Sequence, residues 1–173
     1  AGGLKALEFD RVVAAVRSFA LTPTGAARLE QLTPLTDATA VREALATTSE
    51  AVAYLQSNPV FPLRAPEDLE AVLGVLDVQG RALKPLRLRA LAEYLDSITA
   101  AANAVRRAGN GFPRLQRLVA YVASFERETA DVRRRISEAG DVEDHASPAL
   151  ASIRTRIRRA RTKLRSTLES YLR

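Results

Sequence analysis

Three features of this 173-residue chain predict an all-α fold, a helical bundle-like core continued by one long C-terminal helix. Apolar residues recur at spacings of three and four along most of the chain, as one buried face of a helix requires. Alternation of the kind that marks a half-buried strand is nearly missing. After Pro148 neither glycine nor proline occurs, so a helix begun there meets no stop signal.

The elements follow in order. The first helix is predicted over Leu7 to Ala20, with Phe9, Val12, Val13, Val16 and Phe19 on one face. Thr22 is an N-cap residue followed by Pro23, whose missing N–H costs nothing in a first turn, and the second helix runs to about Leu32, ahead of Pro34. Asp37 caps a third helix whose apolar row is Val41, Leu45, Val52 and Leu55, with Thr48 in register; Asn58-Pro59 ends it. PVFPLRAP is a loop or extended linker, and a short helix from Pro66 to about Leu76 follows. Its carboxylates Glu67, Asp68 and Glu70 are read as complementing the positive end of the helix rather than as a catalytic or metal cluster.

A long helix is predicted from Pro85 to Ala108, with Leu88, Leu91, Leu95, Ile98 and Val105 on one side and the small run Ala100 to Ala102 allowing close contact. GNGFP at 109–113 breaks the chain, and helices over Arg114–Ser124 and Glu126–Ala139 come next, with Gly140 as a left-handed C-terminal residue. Asp144 or Ser147 caps the last helix, Pro148 to the chain end, which at 1.5 Å per residue is roughly 40 Å long. Residues 1–145 are therefore assigned to the core and 146–173 to the start of the projecting helix.

Composition narrows the class. The chain is 47% hydrophobic and 27% charged, enough to bury a core, and contains no cysteine, which excludes disulfides and thiolate metal sites. No apolar run approaches the roughly 20 residues of a membrane span and no signal peptide opens the sequence; the expectation is a cytoplasmic protein without membrane contact. The absence of any Met, even at residue 1, reads as a processed or excised piece.

The net charge of +6 is unevenly placed. Residues 1–144 hold 18 basic and 19 acidic side chains, whereas 145–173 hold 8 and 1. The basic tail calls for a polyanion or an acidic partner helix. Leu150, Ile153, Ile157, Ala160, Leu164, Leu168 and Tyr171 form a narrow apolar seam, with Arg154, Arg158, Arg161 and Arg165 along one edge and Arg156 and Lys163 along the other. Three readings stay open: the seam packs on another helix while arginine stems cover its edges, the arginines also contact nucleic-acid phosphates, or the helix lies on anionic lipid, for which aromatic anchors other than Tyr171 are missing. No aromatics interleave with the arginines, so base stacking is not indicated.

Catalysis finds no constellation. His145 is the sole histidine, beside Asp144 and near Ser147, in a turn where capping explains both neighbours; a metal needs more converging ligands, and no phosphate-cradling glycine loop with its Lys occurs. No catalytic, cofactor-binding or metal-binding residue is predicted, and the chain reads as non-enzymatic by itself.

Two stretches resemble the helical core of MutS-type DNA repair ATPases. In residues 21–55 the matching positions are Thr22, Gly25, Leu29, Leu32, Pro34, Arg42 and Leu55; in residues 140–154 they are Gly140, Asp144, Ala146, Ser147, Pro148, Leu150, Ile153 and Arg154, at the turn into that family's lever helix. LEFDRVVAAVRSFA, which begins the core directly, is similar to the type-two bacterial branch. The resemblance implies a parent that is a homodimeric DNA-dependent ATPase using ATP and Mg, with a C-terminal nuclease domain. It further implies binding to branched DNA, suppression of recombination and, in some bacteria, action on stalled ribosomes. This chain would be the N-terminal core and lever segment, without the ATPase or nuclease and without a cofactor of its own. The expected partners are duplex or branched DNA, met through its backbone, and the rest of the parent chain. The expected contacts are Arg154, Arg156, Arg158, Arg161, Lys163 and Arg165. The alternative is a helical protein-interaction or ribosome-binding module with no direct DNA contact.

Overall fold

The computed structural model describes residues 8–171, which form eight α-helices and two 3-10 turns with no β-strand. In chain order the helices are α1 (Phe9–Arg17), α2 (Pro23–Glu30), α3 (Ala38–Ser57) and α4 (Leu69–Leu76), followed by α5 (Pro85–Arg107), α6 (Pro113–Val119), α7 (Glu126–Arg135) and α8 (Pro148–Tyr171). The all-α expectation holds. Leu7, the expected first helical residue, and Leu172 and Arg173 lie outside the described residues.

The caps act as their residue types dictate. Thr22 accepts the Gly25 N–H at 3.0 Å, with Pro23 in the first turn of α2. Asp37 accepts the Ala40 N–H at 2.7 Å, and Ser147 accepts the Leu150 N–H at 3.1 Å. Each satisfies one of the donors that a helix start leaves without a partner.

α5 organises the base. It packs against α4, α6 and α7; of its buried residues, Leu91 and Val105 lie on the predicted face and Ala101 and Ala102 in the predicted small run, while Ala92 was not expected and Leu88, Leu95 and Ile98 are half-buried. The core around Leu69, Val72 and Leu91 is completed by Ala65, Leu83, Tyr94 and Leu95. The proline-spaced linker is tied to α5 by Ser97, whose hydroxyl oxygen accepts the Arg64 N–H at 3.1 Å.

Two helices depart from the burial that the aliphatic pattern suggests. On α3 the buried residue is Tyr54, packed edge-on against Phe61 and Phe112 at ring-centroid distances of 6.4 and 5.3 Å. Glu50, on the same side, accepts the Leu115 N–H at 2.8 Å and so caps α6. The aromatic cluster and this buried cap set the helix orientation, and Leu45, Val52 and Leu55 of the expected row face outward. α1 contains no buried residue; Val12 and Val16 are exposed, and Phe19 just beyond it is 83% exposed.

The segment expected to end α7 at Ala139 is instead a tight hairpin. α7 stops at Arg135, Ile136 is extended, and Ile136 and Val142 form an isolated antiparallel bridge. The Ser137 N–H donates to the Asp141 carbonyl at 2.9 Å, and the Glu143 N–H donates to the Arg135 carbonyl at 2.8 Å. Gly140 does adopt positive φ, at 84°, but in the hairpin turn rather than at a helix end. α6 is also shorter than expected, ending at Val119, whose carbonyl accepts from Arg106 Nη2 at 2.7 Å.

Gly140 supports a direct prediction. A Cβ built there would lie 2.3 Å from Leu86 Cγ, whereas one at Gly80, with the same φ of 84°, would meet nothing within 4 Å. Both Ala variants suffer the backbone penalty of about 1–2 kcal/mol, and only Gly140→Ala adds a clash with α5. Thermal unfolding is expected to show Gly140→Ala melting clearly below Gly80→Ala; equal melting temperatures would contradict this packing.

Candidate nucleic-acid interface

α8 carries seven cations between Arg154 and Arg165. Its attachment to the base begins with the second 3-10 turn, Asp144–Ala146, which also packs against α7. His145 Nε2 lies 2.8 Å from the Arg134 carbonyl, which can only accept, so this nitrogen carries the proton and ties the turn to the end of α7.

Asp144 is the centre of the attachment. Arg154 Nη1 donates to one carboxylate oxygen at 2.6 Å, and Arg158 Nη1 donates to the other at 2.9 Å. Arg154 Nη1 also reaches the Val142 carbonyl at 2.7 Å, joining α8 to the hairpin. The hairpin is held in turn by Arg89 of α5, which donates to the Ile136 carbonyl at 2.8 Å and sits 3.5 Å from Glu138. Asp144, Arg154 and Arg158 remain partly solvated, with side chains 41%, 38% and 64% exposed.

These contacts assign roles that the sequence left open or missed. Ser147 is the cap of α8, and Asp144 serves the two guanidinium groups instead. Asp144, His145 and Ser147 address three separate partners, so they form no proton relay. Among the described residues no three metal-ligating side chains converge, and no helix is long and apolar enough to cross a membrane.

The six expected contact residues fall into two environments. Arg154 and Arg158 are engaged by Asp144, and Arg165 by Glu169 one turn along at 3.1 Å. Arg156, Arg161 and Lys163 are exposed and have no ion pair among the described residues. Arg159, which sequence reasoning passes over because it lies farther from the seam, shares that state; the RIRRAR run containing it was the available signal. On the base, Arg133 pairs with Asp96, and Arg134 and Arg135 with Asp131. The seam residues Ile153, Ile157, Leu164 and Leu168 are exposed.

Hydrogen bonds from Arg154 first, then Arg158, hold the Asp144 carboxyl below its ordinary value of 3.8. The folded form thus favours the ionised carboxylate, so the contribution is fully present above that ordinary value and is lost as pH falls through the lowered one. A carbon-13 titration of Asp144 is expected to show a midpoint below 3.8. Asp144→Asn is expected to speed amide exchange in the first turns of α8 at neutral pH while leaving α5 unchanged. A midpoint at or above the ordinary value, or unaltered exchange, would contradict the anchoring role.

No family model matches the chain. A protein named Endonuclease MutS2 from Geobacillus kaustophilus is 33% identical over 177 residues, covering 98% of this chain and 22% of the relative. Proteins of the same name from Symbiobacterium thermophilum and Bacillus velezensis are 30% and 29% identical, again over 98% of this chain and 21% and 22% of their own lengths. The chain thus spans about one fifth of the length of the curated relatives it matches. With its all-helical base and the turn that launches α8, the chain is similar over nearly its whole length to a fragment of these MutS2 proteins.

Proposed function

We propose that this chain is a nucleic-acid-facing scaffold and lever segment of a longer MutS2-like protein. The observation that carries this reading is the cluster of Arg156, Arg159, Arg161 and Lys163 on α8, exposed and without an ion pair among the described residues, in a segment (145–173) that holds 8 basic residues and 1 acidic one. Such a row attracts a polyanion, and each phosphate it neutralises releases counterions. Guanidinium and ammonium groups without a surrounding base-reading arrangement contact backbone rather than sequence. The relatives' name, endonuclease, accords with DNA as the polyanion.

In this reading the helix has two jobs. Its first turns take their direction from the base, and its outer part meets DNA, duplex or branched. ATP turnover with Mg, nuclease chemistry, dimerisation and any role in repair or recombination belong to the longer protein. The segment contributes geometry and charge, not catalysis.

The exposed seam favours a second reading, a helical protein-interaction or ribosome-binding module that never touches DNA. Ile157 and Leu164 are 46% and 62% exposed, and an apolar stripe of this kind calls for a covering surface.

A salt titration with labelled duplex and four-way-junction DNA separates the two. Binding is expected at low salt, independent of sequence, with log K falling linearly in log salt at a slope of roughly −3 to −4 for about four neutralised phosphates. Absence of binding at low salt, or a slope near zero, would exclude the DNA-facing reading and leave the interaction module.

A further inference from the structure

The geometry points to a one-sided polyanion site: the edge of α8 formed by Arg156, Arg159 and Lys163 receives the phosphates, and the edge formed by Arg154, Arg158 and Arg165 is committed to protein carboxylates. This rests on the proposed nucleic-acid reading and adds which side of the helix the polyanion takes and which residue completes it.

At about 100° per residue, Arg156, Arg159 and Lys163 fall within about 60° of one another around the helix, and so do Arg154, Arg158, Arg161 and Arg165. The two groups lie on opposite sides of the apolar seam. What distinguishes them is where the acids are. Asp144 takes Arg154 and Arg158 through separate carboxylate oxygens, at 2.6 and 2.9 Å. Glu169, the sole acidic residue of the last 29, takes Arg165. Both carboxylates therefore stand on the Arg154 edge. Arg161 is unpaired, but it sits between Arg158 and Arg165 on an edge that already contains two negative charges.

The Arg156 edge has neither. Its three cations span about 10 Å of helix axis, and the positions beside them are small or hydroxyl-bearing: Ser152, Thr155, Thr162 and Ser166. These side chains let a phosphate backbone approach closely. The Thr155, Thr162 and Ser166 hydroxyls donate to carbonyls one turn back, so they add no charge and little bulk. A polyanion on the Arg154 edge would have to displace or repel Asp144 and Glu169; on the Arg156 edge it meets three cations and no carboxylate among the described residues. Like-charge repulsion of this kind directs partners away from wrong faces.

Two triple variants with the same charge change test the assignment. R156Q/R159Q/K163Q and R154Q/R158Q/R165Q each remove three positive charges, so any difference between them reports position rather than net charge. Against the same labelled duplex, the first is expected to lower the magnitude of the salt slope by about 2.7, the product of 0.9 and three phosphates, and to weaken binding at least tenfold at low salt. The second is expected to change the slope by less than about 1. Far-UV circular dichroism of both variants checks that α8 remains helical. Because the second variant could loosen the attachment of α8, the single variants K163Q and R165Q, both beyond the Asp144 contact, provide an independent arm: K163Q is expected to lower the slope by about 0.9 and R165Q to leave it nearly unchanged. Equal losses in the two triple variants, a larger loss in the second, or a loss in R165Q equal to that in K163Q would overturn the assignment while leaving DNA binding itself intact. A wild-type chain that fails to bind at low salt removes the underlying reading, and this edge with it.

Discussion

The carboxylate of Asp144, held between two arginines of one helix, is the constraint from which the geometry of the C-terminal half follows. α8 leaves its N-terminal turns half-buried and is otherwise exposed from Arg156 onward, so little apolar contact tells it where to point. Direction comes from polar contacts instead. Ser147 fixes where the helix begins, and Arg154 and Arg158, one turn apart, share the two oxygens of one acid. A single ion pair at a wet surface contributes little. Here two guanidinium groups, a backbone carbonyl and a helix cap converge on one short turn, and the arrangement restricts orientation even where each contact alone is weak.

That turn is not an isolated hinge. Contacts run from α5 through Arg89 to the hairpin at Ile136, from the hairpin through the Val142 carbonyl to Arg154, and from α7 through His145 to the same turn. The helix that holds the core of the base is thus joined to the helix that leaves it through a few hydrogen bonds and one glycine-dependent contact. Gly140 matters because only a residue lacking Cβ lets the hairpin lie against Leu86 at that φ.

Local signals were legible where a residue type has one dominant use. Thr22, Asp37 and Ser147 cap helices as their positions suggest, and Leu91, Ala101, Ala102 and Val105 of the small and aliphatic residues in α5 are buried as expected. Inward faces were legible only where the aliphatic row met the rest of the base. On α3, Tyr54 and Glu50 outweigh Leu45, Val52 and Leu55, because an aromatic cluster and a buried cap for another helix both depend on partners distant in sequence. The end of α7 was misplaced for a related reason. Ser137 and Gly140 close a hairpin whose pairing with Val142 no helical periodicity can reveal. The basic helix was visible from charge alone, but its division into a neutralised and an open edge was not, since Asp144 lies 10 residues before Arg154 and its choice of partner is tertiary. The family likeness located the turn; it did not say which arginines that turn would occupy.

Among the described residues, α8 is held over its first three turns and exposed beyond them, which is the geometry of a cantilever. From Arg158 to Tyr171 the overhang is roughly 20 Å at 1.5 Å per residue. A tilt of about 10° at the anchor therefore swings the tip by roughly 3–4 Å over that overhang, whereas the anchor itself shifts by a fraction of this. The amplification is geometric and needs no deformation of the rod. Small rearrangements of one acid and two guanidinium groups are enough to sweep the far end across several ångströms.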